Sequence, residues 1–533
     1  MKITSSIGRS LSAIAALTLV LSLAACSSQS GGAGGVVDSG KEVANVNVAI
    51  PGSLSNLYPG QESGILNYYV ASTIYEGLVG EDSKGAIVPA LAKSWTQPDA
   101  TTYVFKLRAN AKFQDGAPVT ADDVVYSLQK AADAKLSPGI SWYLSNLASV
   151  AKTGDLEVTI KTKSADQAFI KNLSTAGATF ITSKAAWNAA GGKVGTSTSL
   201  VLGSGPYKVT EFVPDSHVTL VRSDYWWGGT PKVKQITIKF IADENTRLLA
   251  AKSGDIDVAL NVPLNQTSQW KQVSGERIAN FNDFSYVGLL FDQRIKPFND
   301  PKVREAIALS VDKNAIVDKL LHKYGEVATT IAVPESIQAV TGSADSARAK
   351  LATVKQYAFD LAAAKTALAA STVPNGFSAE LTYPNTGPQL GLAAQAIAEK
   401  LATIGIKISV KEVPIETWLA TIGDGKHGLG FMWYFSTTGD PFEVSSYLLG
   451  AGNPNGYSSA EANAIMAKSR TESDPAKRVD LVIQLEQVNA AAVVNAPLWW
   501  GQSVTAFGSK VAIKDFTAYS LLGPWGSQLF GVA

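Results

Sequence analysis

The chain of 533 residues contains a single cysteine, Cys26. That excludes an internal disulfide framework and any zinc site built on thiolates. Histidine is almost as scarce: His217, His322 and His427 lie too far apart in sequence to suggest a local metal pair. Neither sign of charge is in excess, with 46 Lys and Arg against 45 Asp and Glu. A phosphate backbone would therefore find no basic surface, and nucleic acid is not an expected partner. There is no Gly-x-Ser-x-Gly elbow and no His-Glu-x-x-His motif, and the one cysteine stands in the N-terminal region, away from any catalytic setting. Repeats of solenoid period and blocks of like charge are missing too. What is present, 46% hydrophobic and 17% charged residues, suffices for a sizeable core and for more than one.

The N-terminus reads as an export signal. Lys2 and Arg9 form a positive region, and residues 11–25 are an apolar run too short for a comfortable permanent span. Leu23-Ala24-Ala25-Cys26 resembles the lipobox cut by the lipoprotein signal peptidase. The resemblance implies that residues 1–25 are removed and that Cys26 carries lipid. Residues 26–42, rich in Ser and Gly, are expected to form a flexible tether. No later run is long and apolar enough for a transmembrane helix.

From Val43 the patterning is that of an α/β protein. Val46, Val48 and Ile50 alternate with polar or small residues before Pro51-Gly52, as a strand entering a loop would. Tyr103, Phe105 and Leu107 mark the buried face of another strand, and Asp115-Gly116 marks a turn. Thr120 and Asp123 have capping-box spacing, which assigns Asp122 and Asp123 to a helix start and not to acid–base chemistry. Asp300-Pro301 predicts a second helix start, with Val303, Ile307 and Val311 on its buried stripe and Arg304 and Glu305 more exposed. Helices are also expected over 360–370, 391–401 and 459–469, with a strand over 406–410. Strands alternating with helices over this length favour layered α/β architecture.

A set of short motifs in fixed order carries more. Ile74-Tyr75-Glu76-Gly77-Leu78, Leu91-Ala92-Lys93-Ser94-Trp95, Tyr103 to Arg108, and Phe113 through Val124 come first. Gly203-Ser204-Gly205-Pro206-Tyr207, Gly254-Asp255-Ile256-Asp257, Pro297-Phe298 with Asp300 to Arg304, and Gly439-Asp440-Pro441 follow. Together they resemble the family-5 extracellular solute-binding proteins of ABC importers, which include dipeptide, oligopeptide, nickel and oligosaccharide receptors. The resemblance implies a two-lobed periplasmic-binding-protein-like fold, of class II type with an extra inserted subdomain, closing about a hinged cleft. Lobe one is expected from 43–290 plus 498–533, with the insertion at about 76–204, and lobe two from 291–497. The hinge then falls near 285–290 and 498–501. Neither a catalytic residue, a metal nor a cofactor is expected. The implied partners are a small-molecule ligand, oligopeptide or oligosaccharide-like, and ABC permease subunits, with the receptor acting as a monomer anchored on the extracytoplasmic face of the cell membrane.

In peptide receptors of that family a carboxylate three residues before the Asp of Asp-Pro pairs with the ligand ammonium. Here that position is Thr437, so the charge is missing. Asp440 is a candidate from a shifted register, with turn formation beside Pro441 as its ordinary alternative. Trp433, Tyr434, Phe435, Trp499, Trp500 and Trp525 supply flat faces able to stack on a ligand or to fill a core. Trp226-Trp227 is read as scaffold. Asn56, Tyr58 and Asn261 lie where strands end, where α/β ligand sites gather. The alternatives are an exported glycan-binding protein, a glycoside hydrolase working with two carboxylates, and a ligand sensor uncoupled from import.

Overall fold

The computed structural model describes residues 36–82, 85–517 and 519–533. The expected signal segment and Cys26 lie outside them. The stretch read as a tether is already docked at its end: Asp38 bridges to Val532, the Ser39 N–H donates to the Gly531 carbonyl at 2.8 Å, and Lys232 pairs with Asp38.

The first strand forms at Val43–Ile50, because Val46, Val48 and Ile50 all face the interior. It pairs in parallel with Val233–Phe240 on one side and Val258–Ala259 on the other. The sheet continues outward through His217–Arg222 to Tyr207–Val213. In the other direction it passes through Asn495–Phe507 and Arg277–Phe291 to Leu429–Phe435. A separate four-stranded antiparallel sheet takes Ala92–Asp99, Thr102–Leu107, Glu157–Thr162 and Leu147–Gly154. There Tyr103, Phe105 and Leu107 are buried, as their alternation predicts.

Helix starts follow local chemistry. Ala121–Ala132 opens with the expected capping box, in which Thr120 Oγ1 accepts from the Asp123 N–H while Asp123 accepts from the Thr120 N–H. The neighbouring Asp122 is an exposed partner of Lys152. Pro301–Leu309 has Asp300 as its cap and Pro at its first position. The other three expected helices appear as Leu361–Ala369, Pro388–Ala402 and Ala460–Thr471, and the short strand as Lys407–Val413. Arg304 departs from expectation: it is buried, and its guanidinium donates to the carbonyls of Phe298, Ala492 and Val493. It thereby caps the end of helix Pro475–Ala492, whose last carbonyls lack partners within the helix. Among the described residues, no helix is long and apolar enough to cross a membrane.

Two groups of apolar cores make the two lobes. One gathers Val46, Tyr75, Phe105, Leu128, Leu220 and Trp525, so the four-stranded sheet and the N-terminal half of the large sheet share a core. The other is built on Phe291, Ile307, Leu390, Ile397 and Trp499, with a companion cluster around Leu448, Leu485 and Trp500. Arg277–Phe291 and Asn495–Phe507 run through both groups. Their pairing is regular from Arg277 to Asn282, breaks, and resumes at Tyr286 opposite Trp500. A break of this kind bends and twists a ladder locally. Gly501 sits in it, where a Cβ would lie 1.8 Å from Ser285 Oγ, so a side chain at this position would have to displace Ser285.

Candidate functional site

The strand Leu429–Phe435 ends at a loop, Ser436 to Pro441, before the short helix Glu443–Leu449. Glu443 lies in the first turn of that helix and folds back over the loop. Its Oε1 accepts from the Thr437 N–H, Tyr434 Oη and Tyr143 Oη, each at 3.2 Å. Its Oε2 accepts from Ser436 Oγ at 2.7 Å, from the Thr438 N–H at 3.0 Å and from the Thr438 hydroxyl. A carboxylate offers roughly four lone-pair sites, so this one is saturated by the protein itself.

Tyr143 reaches this centre from the other lobe. Its oxygen lies 2.9 Å from Thr437 Oγ1. Burial pushes the Tyr143 phenol well above its ordinary range, with Glu443 adding to the rise, so it keeps its proton. One O–H donates once. Since the Glu443 carboxylate only accepts, Tyr143 donates to Glu443 and its oxygen accepts from the Thr437 hydroxyl. Lys171, also from the first lobe, donates from Nζ to the Thr438 carbonyl at 2.7 Å. Farther out the Gln167 N–H donates to the Arg470 carbonyl at 2.9 Å, and Trp142, stacked on Tyr143, leans toward Tyr447. The lobes meet through these contacts. They involve hydroxyls, backbone groups, the Glu443 carboxylate, the Lys171 side chain and an aromatic pair.

The residues singled out from sequence fall into several settings. Tyr434 and Thr437 belong to the centre just described. Phe435, beside them, packs against the core of the first lobe. Asp440 is committed: it accepts from the Phe442 N–H at 2.9 Å and pairs through both oxygens with Arg478. Burial pushes its carboxyl up, but Arg478 outweighs that and holds it below the ordinary range. Trp433 packs at the edge of the second lobe, beside Gly387. Trp499, Trp500 and Trp525 are buried; Trp500 donates to the Thr330 carbonyl at 3.0 Å and Trp525 to the Tyr69 carbonyl at 2.7 Å.

Asn56 shapes the early loop, accepting from the Tyr58 N–H at 2.8 Å and donating to the Val194 carbonyl at 3.2 Å. Tyr58 is buried against Trp187, with its hydroxyl 3.0 Å from Ser137 Oγ. Asn261 has a left-handed backbone and accepts from Tyr69 Oη at 3.4 Å, while its carbonyl takes a bond from Arg247. Trp226 and Trp227 both donate indole N–H groups to Glu76, whose carboxyl burial pushes up to about 7.

Sequence reasoning missed Tyr143, Lys171 and Glu443. For Glu443 a signal existed, an acid three residues after Asp440 at the start of a helix. Tyr143 and Lys171 lie some three hundred residues before their partners, and nothing local marks them.

The family model for bacterial extracellular solute-binding proteins, family 5, matches residues 86–456. The chain is 28% identical over 453 residues to the glutathione-binding protein GsiB of Escherichia coli O6:K15:H31, covering 82% of this chain and 85% of that protein. Among solved structures it is similar to AgaA of A. tumefaciens R10 in complex with agropinic acid, with TM-score 0.82, 25% identity, and 92% and 99% of the two chains covered. It is also similar in fold to the oligopeptide-binding protein AppA of Bacillus subtilis in complex with a nonapeptide, with TM-score 0.79, 22% identity, and 92% and 100% covered. The chain belongs to the family-5 extracellular solute-binding proteins, which bind substrates without transforming them.

Proposed function

We propose that this protein captures a small peptide or peptide-like polar solute by closing its two lobes and hands it to the permease of an ABC importer. The observation that carries this reading is the set of bonds from Tyr143 and Lys171 to Thr437 and Thr438, which ties one lobe to the other around a polar centre. A receptor needs such contacts to exist only when closed, so that ligand binding and closure stabilise each other. The chemistry of the relatives' cargo agrees: glutathione is a tripeptide, and a nonapeptide occupies AppA.

In this reading lobe one comprises about 43–282 with 502–533 and contains the insertion at about 76–204, and lobe two about 286–500, wider at each crossing than the 291–497 expected from the motifs because Tyr286, Val287, Trp499 and Trp500 pack in the second lobe's cores. The two strands that pass between them bend at 283–285 and Gly501. Tyr434 and Thr437 contact the solute directly, with Phe435 and Trp433 flanking it. Asn56, Tyr58, Asn261, Asp440, Trp499, Trp500 and Trp525 shape the chamber walls behind them. Cys26, freed by removal of residues 1–25, holds the protein on the outer face of the membrane through its lipid.

Isothermal titration with a panel of di- to hexapeptides, glutathione among them, tests the cargo. Saturable binding of at least one supports the reading; no heat from any, with folded protein, overturns it. The anchor is tested separately by Cys26→Ser, which should release the protein from the membrane fraction. Retention of that variant would refute lipid anchoring.

A further inference from the structure

Glu81 ends the short strand Val79–Glu81. Side chains alternate along a strand, so Glu81 shares the inward face of the fully buried Val79. Both of its carboxylate oxygens are closed off from solvent and neither has a hydrogen-bond partner. Among the described residues it is the one carboxylate of which both are true. Natural proteins pair buried charges or leave them out, because an unpaired one costs several kcal/mol, about 2–7 even for a neutral polar group.

Its surroundings place it against the polar centre between the lobes. Lys171 and Glu443 both act on its charge. Tyr519, on whose hydroxyl Glu81 acts in turn, packs against Gly85 just beyond Glu81 and against Gly439 in the loop of the other lobe. The neighbouring carboxylates are taken: Asp82 by the Ala86 N–H, Glu443 by six protein donors, Asp440 by Arg478, and Glu335 by Asn282 and Arg348. Thr437, at the heart of that centre, carries no charge.

We propose that the Glu81 carboxylate is the counter-ion for a cationic group of the bound solute, an ammonium or a guanidinium. The first lobe then supplies the charge, across the cleft from the neutral Thr437. Burial pushes the Glu81 carboxyl up to about 8, against the pull of Lys171, and an entering cation reverses that by favouring the ionised form. The inference rests on the reading of this cleft as the solute site and adds the charge class of the solute.

The test compares wild type with Glu81→Gln by calorimetry, using trialanine and N-acetyl-trialanine, and the non-peptide cations putrescine and argininamide. Wild type should bind trialanine at least about tenfold more tightly than its acetylated form, and Glu81→Gln should erase that ratio. Wild type that binds no peptide but binds putrescine or argininamide in a Glu81-dependent way upholds the counter-ion and refutes the peptide cargo. Peptide binding with a ratio unchanged in Glu81→Gln overturns the counter-ion and leaves the peptide reading standing. Binding of none of the four probes, or of the cations equally by both proteins, overturns the inference. Thermal unfolding of the unliganded variant checks that it is folded; a folding failure is answered by Glu81→Asp, which keeps the charge and should keep the trialanine preference.

Discussion

Tyr143 and Thr437 meet hydroxyl to hydroxyl at 2.9 Å, one from each lobe, and Tyr143 donates its own hydrogen bond to Glu443 at 3.2 Å. The bond exists only when the lobes are together, so it weights the closed state without touching the stability of either lobe alone. Tyr143→Phe removes the link while keeping the ring stacked on Trp142. The expected outcome is solute affinity weaker by about 5- to 30-fold, the equivalent of about 1–2 kcal/mol for a buried hydrogen-bonded pair. Small-angle scattering should show a larger open fraction at subsaturating ligand. Unchanged affinity would mean that closure is held elsewhere.

Glu443 is expected to act on stability before binding. Every one of its partners in the centre is a donor, and a Gln side chain would turn one acceptor into an NH2 group facing donors. Glu443→Gln should cost about 2–4 kcal/mol in chemical denaturation. Tyr434→Phe, which removes a single donor at 3.2 Å from an oversupplied carboxylate, should cost under about 1 kcal/mol. Equal losses from the two would contradict the saturated-acceptor account.

The contrast between these residues shows what the sequence made legible. Features set by neighbours in the chain were readable: the Thr120–Asp123 box, the Asp300-Pro301 start and the alternation through Tyr103 and Phe105. The ordered motifs carried the fold, because turns and caps of that kind need particular residues at fixed spacing. Arg304 was misread, since helical spacing alone cannot show that a second helix ends against it. Tyr143, Lys171 and Glu81 were invisible because their roles come from a lobe interface that local pattern does not encode. Tryptophan was ambiguous for another reason: Trp499 and Trp525 fill cores with the same flat face that would serve a ligand.

Glu81 also predicts how unliganded protein responds to pH. Its folded value of about 8 lies above the ordinary 4.5, through burial, with Glu443 and Asp82 adding to the rise and Lys171 opposing it. Tyr519, the other titratable group packed there, is itself raised and stays neutral. Between those two pH values the unfolded chain has released a proton that the folded chain still holds, so wild type loses stability as pH rises. Glu81→Gln has no such proton. The variant should match wild type near pH 4.5 and exceed it by about 2–4 kcal/mol at pH 8, read by urea denaturation. Parallel curves across that window would show that the carboxylate is not held unpaired.

Gly501 offers a test of the crossing between the lobes. It lies opposite the break after Asn282, and a methyl group there would collide with Ser285 Oγ at 1.8 Å and approach Asp283 Oδ1 at 3.2 Å. Ser285 can turn its hydroxyl away only by disturbing the environment of Asp283, a buried carboxylate that also accepts from the Ser285 N–H at 2.8 Å and from Ser503 Oγ at 2.6 Å. Gly501→Ala should therefore destabilise the protein by about 1–3 kcal/mol, the usual cost of forcing a methyl into filled space. Combining it with Ser285→Ala removes the atom that is struck first, so the double variant should lose less than the sum of the two single ones. Strict additivity would show that Ser285 Oγ is not the atom the methyl is forced against. Because the two long strands bend here, a partial rescue of stability should also restore solute affinity; stability regained with affinity still impaired would separate the fit of the crossing from its role in closure.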